Sequence, residues 1–181
     1  MCSRYTYNKD EAKLRLRDKI LVFGAVPRAN IRPTDLGPVI VPEYEGFACR
    51  ELHWGWGVPW DKSPLINAKS ETITTLKTFQ PHLNQRCLVL ADGFYEKGVL
   101  FRQPGGHVFC LAGLWREETG VQKYTMLTTP PNESVAKYHH RMPFILKPDQ
   151  YDLWLGEKWQ QVLTEPDHAP LEKFQKQAEL F

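Results

Sequence analysis

Fourteen prolines, spread from Pro27 to Pro170, set the first limit on what this chain can become. Proline inside a helix removes a hydrogen bond and clashes with the preceding turn, and within a sheet it is confined to edges and bulges. Prolines at this spacing leave room only for short elements joined by turns. The chain has no internal repeat and no low-complexity linker, and its 181 residues suit one domain. Hydrophobic residues at 42% and charged residues at 24% are ordinary for a globular chain, which argues against disorder.

Between the prolines the pattern is mostly that of strands. Val39–Val41, Phe47–Trp54, Arg86–Tyr95, His107–Trp115 and Lys123–Thr129 are rich in β-formers, and the apolar run Ile20–Phe23 ends at Gly24. Helices are predicted at the flanks and in one central segment. Asp10 can cap a short basic helix running through Ile20, Thr72–Phe79 reads as a helix stopped by Pro81, Asp149–Leu155 follows Pro148, and Ala169–Leu180 closes the chain. The expected fold class is α+β: a single domain over 1–181 with a curved, barrel-like, mostly antiparallel β core, short flanking helices and a helical extension at about 165–181.

Charge narrows the function classes little. A formal net charge of +2 gives no bulk attraction for nucleic acid, so any such contact has to come from a local patch. Cysteines stand at 2, 49, 87 and 110, with no C-x-x-C pair to suggest zinc. Cys49, Cys87 and Cys110 sit in apolar surroundings and read as buried thiols in a reducing compartment. No apolar stretch is long enough to span a bilayer, and no signal-peptide pattern opens the chain, so a cytoplasmic location is expected.

Five places can carry chemistry. Cys2 follows the initiator Met, which is generally removed before a small residue. Its loss would leave an α-amine of reference pKa about 8 and a thiol of about 8.5 on one residue. Such an aminothiol condenses with an aldehyde to an imine and then closes a five-membered thiazolidine, an intramolecular step favoured by proximity. By position alone Cys2 is more often incidental. In Leu65–Thr72, Asn67 supplies a donor and an acceptor and Lys69 can meet a phosphate; the plainer alternative is a turn capped by Ser70 or Glu71. Glu96 ends an apolar strand beside aromatics, where desolvation would raise its pKa, and the plainer alternative is a surface pair with Lys97. His139 and His140 are adjacent, so at most one points into a given site, and Arg141 beside them can hold a phosphate. The segment His53–Trp60 is rich in Trp, Gly and Pro; its rings either fill the core or stack on bases.

Taken together and in order, these motifs resemble the SRAP family (SOS response-associated peptidase, also called abasic-site processing proteins). The matching segments are Met1–Tyr5, Arg28–Thr34, Trp54–Gly55, Ile66–Thr72, Arg86–Glu96 and His139–Pro143, within about 1–155. The resemblance implies a β-barrel-like core with a basic groove for single-stranded DNA. It also implies a thiazolidine cross-link between Cys2 and a ring-opened abasic sugar in the DNA-damage response. It casts Cys2 as nucleophile, Asn67 as the residue positioning Cys2 and the adduct, Glu96 as acid/base and His139 as the group assisting ring opening. Arg4, Lys69, Lys77 and Arg141 become backbone contacts and Trp60 a ring near the base stack. No cofactor, metal or membrane is implied, and a monomer is expected. Ser3 stands for the usual Gly, Lys69 for an Arg and Lys97 for a Trp. Lys69 keeps the charge but loses the bidentate fork, and Lys97 adds positive charge near Glu96. Two other readings use the same residues: a thiol peptidase or amidase with Cys2 as N-terminal nucleophile, and a non-catalytic binder of single-stranded DNA.

Overall fold

The computed structural model describes residues 2–174. The first strands are β1 (Tyr5–Tyr7), β2 (Glu11–Leu16), β3 (Lys19–Gly24), β4 (Arg28–Ile31), β5 (Leu36–Glu43) and β6 (Gly46–Trp54). Then come β7 (Trp56–Val58), β8 (Asp61–Leu65), β9 (Asn67–Lys69), β10 (Arg86–Ala91), β11 (Gly93–Glu96) and β12 (Val99–Arg102). The remainder are β13 (Phe109–Glu118), β14 (Val121–Thr129), α1 (Glu133–Ala136), β15 (Met142–Pro143), β16 (Ile145–Leu146), α2 (Tyr151–Leu155) and β17 (Glu172–Phe174).

Five strands close on themselves. β5 pairs with β6 and β10, β10 with β13, β13 with β14, and β14 returns to β6 in parallel. Closure works because β13 changes partner along its length: Phe109–Leu114 face β10, while Gly113–Glu118 face β14. Every residue of β10 is buried, as expected for a strand covered on both faces. β9 joins β14 in parallel, through Asn67↔Met126, Ala68↔Leu127 and Lys69↔Thr128. The curved, barrel-like and mostly antiparallel core anticipated from the strand pattern is therefore present.

A second sheet, ordered β17-β12-β11-β1-β4, leans on this barrel. The run Arg86–Tyr95, read as one strand, belongs to both. It breaks at Asp92, leaving β10 in the barrel and β11 in the second sheet. Asp92 is buried, and its carboxylate is fully engaged. It accepts from the Thr6 hydroxyl, from the Asn8 backbone N–H at 2.9 Å and from Asn8 Nδ2 at 3.2 Å. The crossing point is thereby tied to β1, which pairs with β11 through Tyr5↔Phe94 and Thr6↔Gly93.

Three expected helices take other forms. The segment expected as a helix from Asp10 to Ile20 is the hairpin β2–β3, because Glu11–Leu16 alternates strictly and buries Ala12, Leu14 and Leu16. Period two wins over helical spacing once that face has a core to cover. Thr72–Phe79 is a series of turns. Its hydroxyls compete for the backbone, with Thr75 Oγ1 donating to Thr72 O at 3.1 Å, and only Ile73 and Phe79 reach the core. Pro81 lies in a short 3-10 turn, Gln80–His82. Of the last expected helix, residues 172–174 form β17 against β12, and residues 175–181 lie outside the described residues. Asp149–Leu155 is helical, as a 3-10 turn running into α2.

Candidate active site

Register places the candidate residues. Beyond β1, Tyr95 N–H donates to Arg4 O at 2.9 Å, which extends the β1–β11 pairing toward the N-terminus and draws Cys2 alongside Glu96. From the barrel side, β9 delivers Asn67, whose Nδ2 donates to the Cys2 carbonyl at 2.8 Å. Cys2, Asn67 and Glu96 are all buried, although they are brought by three different strands or strand ends. The Cys2 thiol donates to Arg4 O at 3.4 Å.

Two acceptors here are unspent. Asn67 Oδ1 and Glu96 Oε1 are both buried without a hydrogen-bond partner. Native chains leave few such atoms, and they concentrate where a ligand or reacting group belongs. Burial raises the Glu96 carboxyl above the ordinary carboxylate range, with the Lys97 ammonium pulling the other way. Burial also pushes the Cys2 thiol up to about 12, opposed by the Arg4 backbone and reinforced by the Glu96 charge. The thiol is therefore neutral at physiological pH.

Glu96 and His139 open onto one cleft of about 520 Å³, together with Ser3, Arg4, Arg32 and Lys97. Among the described residues Glu96 is the only acid in that lining, so the cleft is a local basic patch in a nearly neutral chain. Arg141 N–H donates to His139 Nδ1 at 3.0 Å. The same Nδ1 lies 3.1 Å from Arg141 O, so the Arg141 backbone fixes the orientation of the ring. The His140 ring stacks on it at 4.3 Å, and the neighbouring His139 charge disfavours protonation of His140.

The remaining candidates are dispersed. Arg4 lines the cleft with its guanidinium 3.7 Å above the Tyr95 ring. Lys69 is exposed at the end of β9, two residues from Asn67. Trp60, 69% exposed, and Lys77 line a separate hollow of about 270 Å³ with Arg116 and His82, which shares no residue with the Glu96 cleft. That hollow is braced by Arg116, which donates to Gly57 O at 2.6 Å and to Glu118. Arg141 is buried. It grips the Glu71 carboxylate bidentately at 2.6 and 2.9 Å, and its Nη2 also donates to Thr128 O at 2.6 Å. Its Nε is buried and without a partner. The ion pair ties the turn after β9 to the segment that carries His139.

Arg32, Lys97 and Ser3 line the cleft without having been singled out for that place. Their signal in the sequence was only adjacency to motifs already quoted, since nothing in residue spacing says that β1, the turn after β11 and the residue after β4 meet. Among the described residues, no three His, Cys, Asp or Glu side chains gather to hold a metal ion, and no helix is long and apolar enough to cross a membrane.

The chain is similar to known proteins over most of its length. The chain is 33% identical over 162 residues to the abasic site processing protein YoaM of Bacillus subtilis, covering 78% of this chain and 70% of that one. It is 31% identical to the B. subtilis abasic site processing protein YoqW, covering 93% and 84%. A crystal structure of a protein from Bordetella bronchiseptica superposes with a TM-score of 0.75 at 25% identity, over 95% of this chain and 98% of the other. Residues 1–179 match the family described as SOS response associated peptidase, and the chain belongs to that family, SRAP.

Proposed function

We propose that this protein processes abasic sites in DNA, and that it does so by covalent capture in single-stranded DNA through Cys2 once Met1 is removed. The observation that carries the reading is the meeting of Cys2, Asn67 and Glu96, with two unspent acceptors, at the edge of a cleft lined by His139 and basic side chains. The relatives' description as abasic site processing proteins supports the substrate.

The chemistry follows from the groups present. An abasic deoxyribose is mostly a closed hemiacetal, and opening it needs a proton donor and an acceptor. Glu96, held protonated to higher pH by burial, donates to the ring oxygen while a ring nitrogen of His139 takes the anomeric hydroxyl proton, which then returns to Glu96. The Cys2 amine adds to the aldehyde carbon to give a carbinolamine. Loss of water, with a proton from Glu96, leaves an iminium. The neutral thiol then adds to that carbon and passes its proton to the Glu96 carboxylate, closing the thiazolidine. One water leaves overall, and Glu96 ends as it began. Asn67 holds the Cys2 carbonyl throughout, fixing the direction of attack. A neutral buried thiol suits this second-step role.

Incubation with a single-stranded oligonucleotide carrying one abasic site should give a heat-stable adduct, seen by gel shift and by intact mass. Cys2→Ala should give none. An equal yield of heat-stable adduct from Cys2→Ala would sink the reading, because no thiazolidine can form without the thiol.

A further inference from the structure

A second cleft, of about 500 Å³, opens directly from the first. Arg4, Arg32, Tyr95 and Gly98 line both, and Asn30, Leu100 and Phe174 complete the far side. Its volume lies within the roughly 300–1,000 Å³ of small-ligand sites. Two of the four residues shared by the clefts are thus arginines. Among the described residues, neither Arg4 nor Arg32 is paired with a carboxylate.

Both are held in place before any ligand arrives. The Arg4 guanidinium carbon sits over the Tyr95 ring, 3.7 Å from its centre. The Arg32 backbone is fixed from both sides: its N–H donates to Asp35 Oδ2 at 2.8 Å, and its carbonyl accepts from Asp35 N–H at 3.0 Å. With the Asn30 amide oxygen turned toward it, that oxygen accepts from Arg32 Nε at 3.1 Å and from Nη2 at 3.3 Å. Two oriented, unpaired guanidinium groups match the bidentate geometry of a phosphodiester. Beyond them Phe174 is 43% exposed, an aromatic face at the end of the cleft. A phosphate clamp with an aromatic platform behind it is the arrangement that binds one unpaired nucleotide.

We propose that the second cleft is a nucleotide subsite: Arg4 and Arg32 clamp the phosphodiester joining the abasic sugar to its neighbour, and the neighbour's base lies against Phe174. This rests on the abasic-site reading above. It assigns Arg32 and Phe174 as positioning residues, which set the sugar over Glu96 and take no part in the bond changes.

Binding can be measured apart from capture. A single-stranded oligonucleotide containing a tetrahydrofuran abasic analogue has no aldehyde, so anisotropy reports affinity alone. Arg32→Gln should weaken binding about tenfold. It should also flatten the dependence of log affinity on log salt by about 0.7, one single-strand phosphate. Arg32→Lys should restore the salt slope but only part of the affinity. Phe174→Ala should cost severalfold with the slope unchanged, since stacking releases no counterion. Both side chains are exposed, and equal melting temperatures would confirm intact folds. Shortening the strand to the analogue, from one end and then the other, should cost the wild type about tenfold on one side. The same truncation should cost Arg32→Gln little more. Wild-type affinity and slope in Arg32→Gln, or truncation losses that simply add to its own, would overturn the subsite. Normal analogue binding with no adduct on true abasic DNA would instead sink the capture reading and leave the subsite standing.

Discussion

Glu96 is costly to the fold where it stands. Its carboxyl is buried with one oxygen unpartnered, and burial holds its pKa above the ordinary range. The folded chain therefore keeps this proton at pH values where the unfolded chain, titrating near 4.3, has released it. Folding stability from this group falls as pH rises from the ordinary carboxylate range through the raised folded value. Below that window both states are protonated and the group is neutral in effect. Glu96→Gln should accordingly melt higher than the wild type at pH 8, with the gap closing toward pH 4. The same variant should lose most of its capture rate, because Gln moves no proton. Calorimetry across that pH range, beside adduct kinetics, checks both. A variant no more stable at pH 8 would mean that the carboxylate is compensated in a way its unpartnered oxygen does not suggest.

At the scale of elements, the hairpin β2–β3 is anchored and strained at the same tip. Arg17 and Asp18 both have positive φ, 48° and 58°, which gives the two-residue turn the twist that hairpins prefer. Arg17 earns its place: its N–H donates to both Asp152 carboxylate oxygens at 3.0 and 2.9 Å, and its guanidinium lies 4.8 Å from the Phe47 ring centre. Asp18 has only an exposed partner, Arg15, at 3.6 Å. Asp18→Gly should therefore stabilise the chain by about 0.5–1 kcal/mol, since glycine adopts this conformation without steric cost and a surface pair contributes little. Urea denaturation with an unchanged slope and a raised midpoint is the expected result. A lowered midpoint would show that the Arg15 pair outweighs the backbone strain. The Glu71–Arg141 pair works at the same scale, joining the turn after β9 to the segment carrying His139, so Asn67 and His139 share one brace.

For the whole molecule, the critical contact is where the second sheet meets the barrel. Tyr5 from β1 and Tyr124 from β14 share a hydroxyl hydrogen bond of 2.6 Å directly over Gly37 of β5. A Cβ at position 37 would collide with both hydroxyls. Gly37→Ala should cost about 2–3 kcal/mol and lower the melting temperature cooperatively, because neither ring can move without opening the barrel or displacing β1. It should also slow capture, since β1 leads back to Cys2. Full activity and stability in this variant would show that the two sheets adjust independently. The strand pattern was legible in the sequence wherever β-formers ran between prolines, and Cys2, Asn67, Glu96 and His139 stood out by residue type and motif. The hairpin at Glu11–Gly24 and the turns at Thr72–Phe79 were not, because local spacing there fits a helix until burial of one face, or competition from threonine hydroxyls, decides otherwise. Sequence by itself determined which groups could react with an aldehyde and that short strands would carry them. Only tertiary structure decided that β1, β9 and β11 meet, that Arg141 turns inward to Glu71, and that Arg32 comes to face the cleft beside Arg4. Those outcomes depend on barrel closure and sheet register, set by pairings between residues as far apart in sequence as Tyr5 and Phe94, which local sequence does not encode.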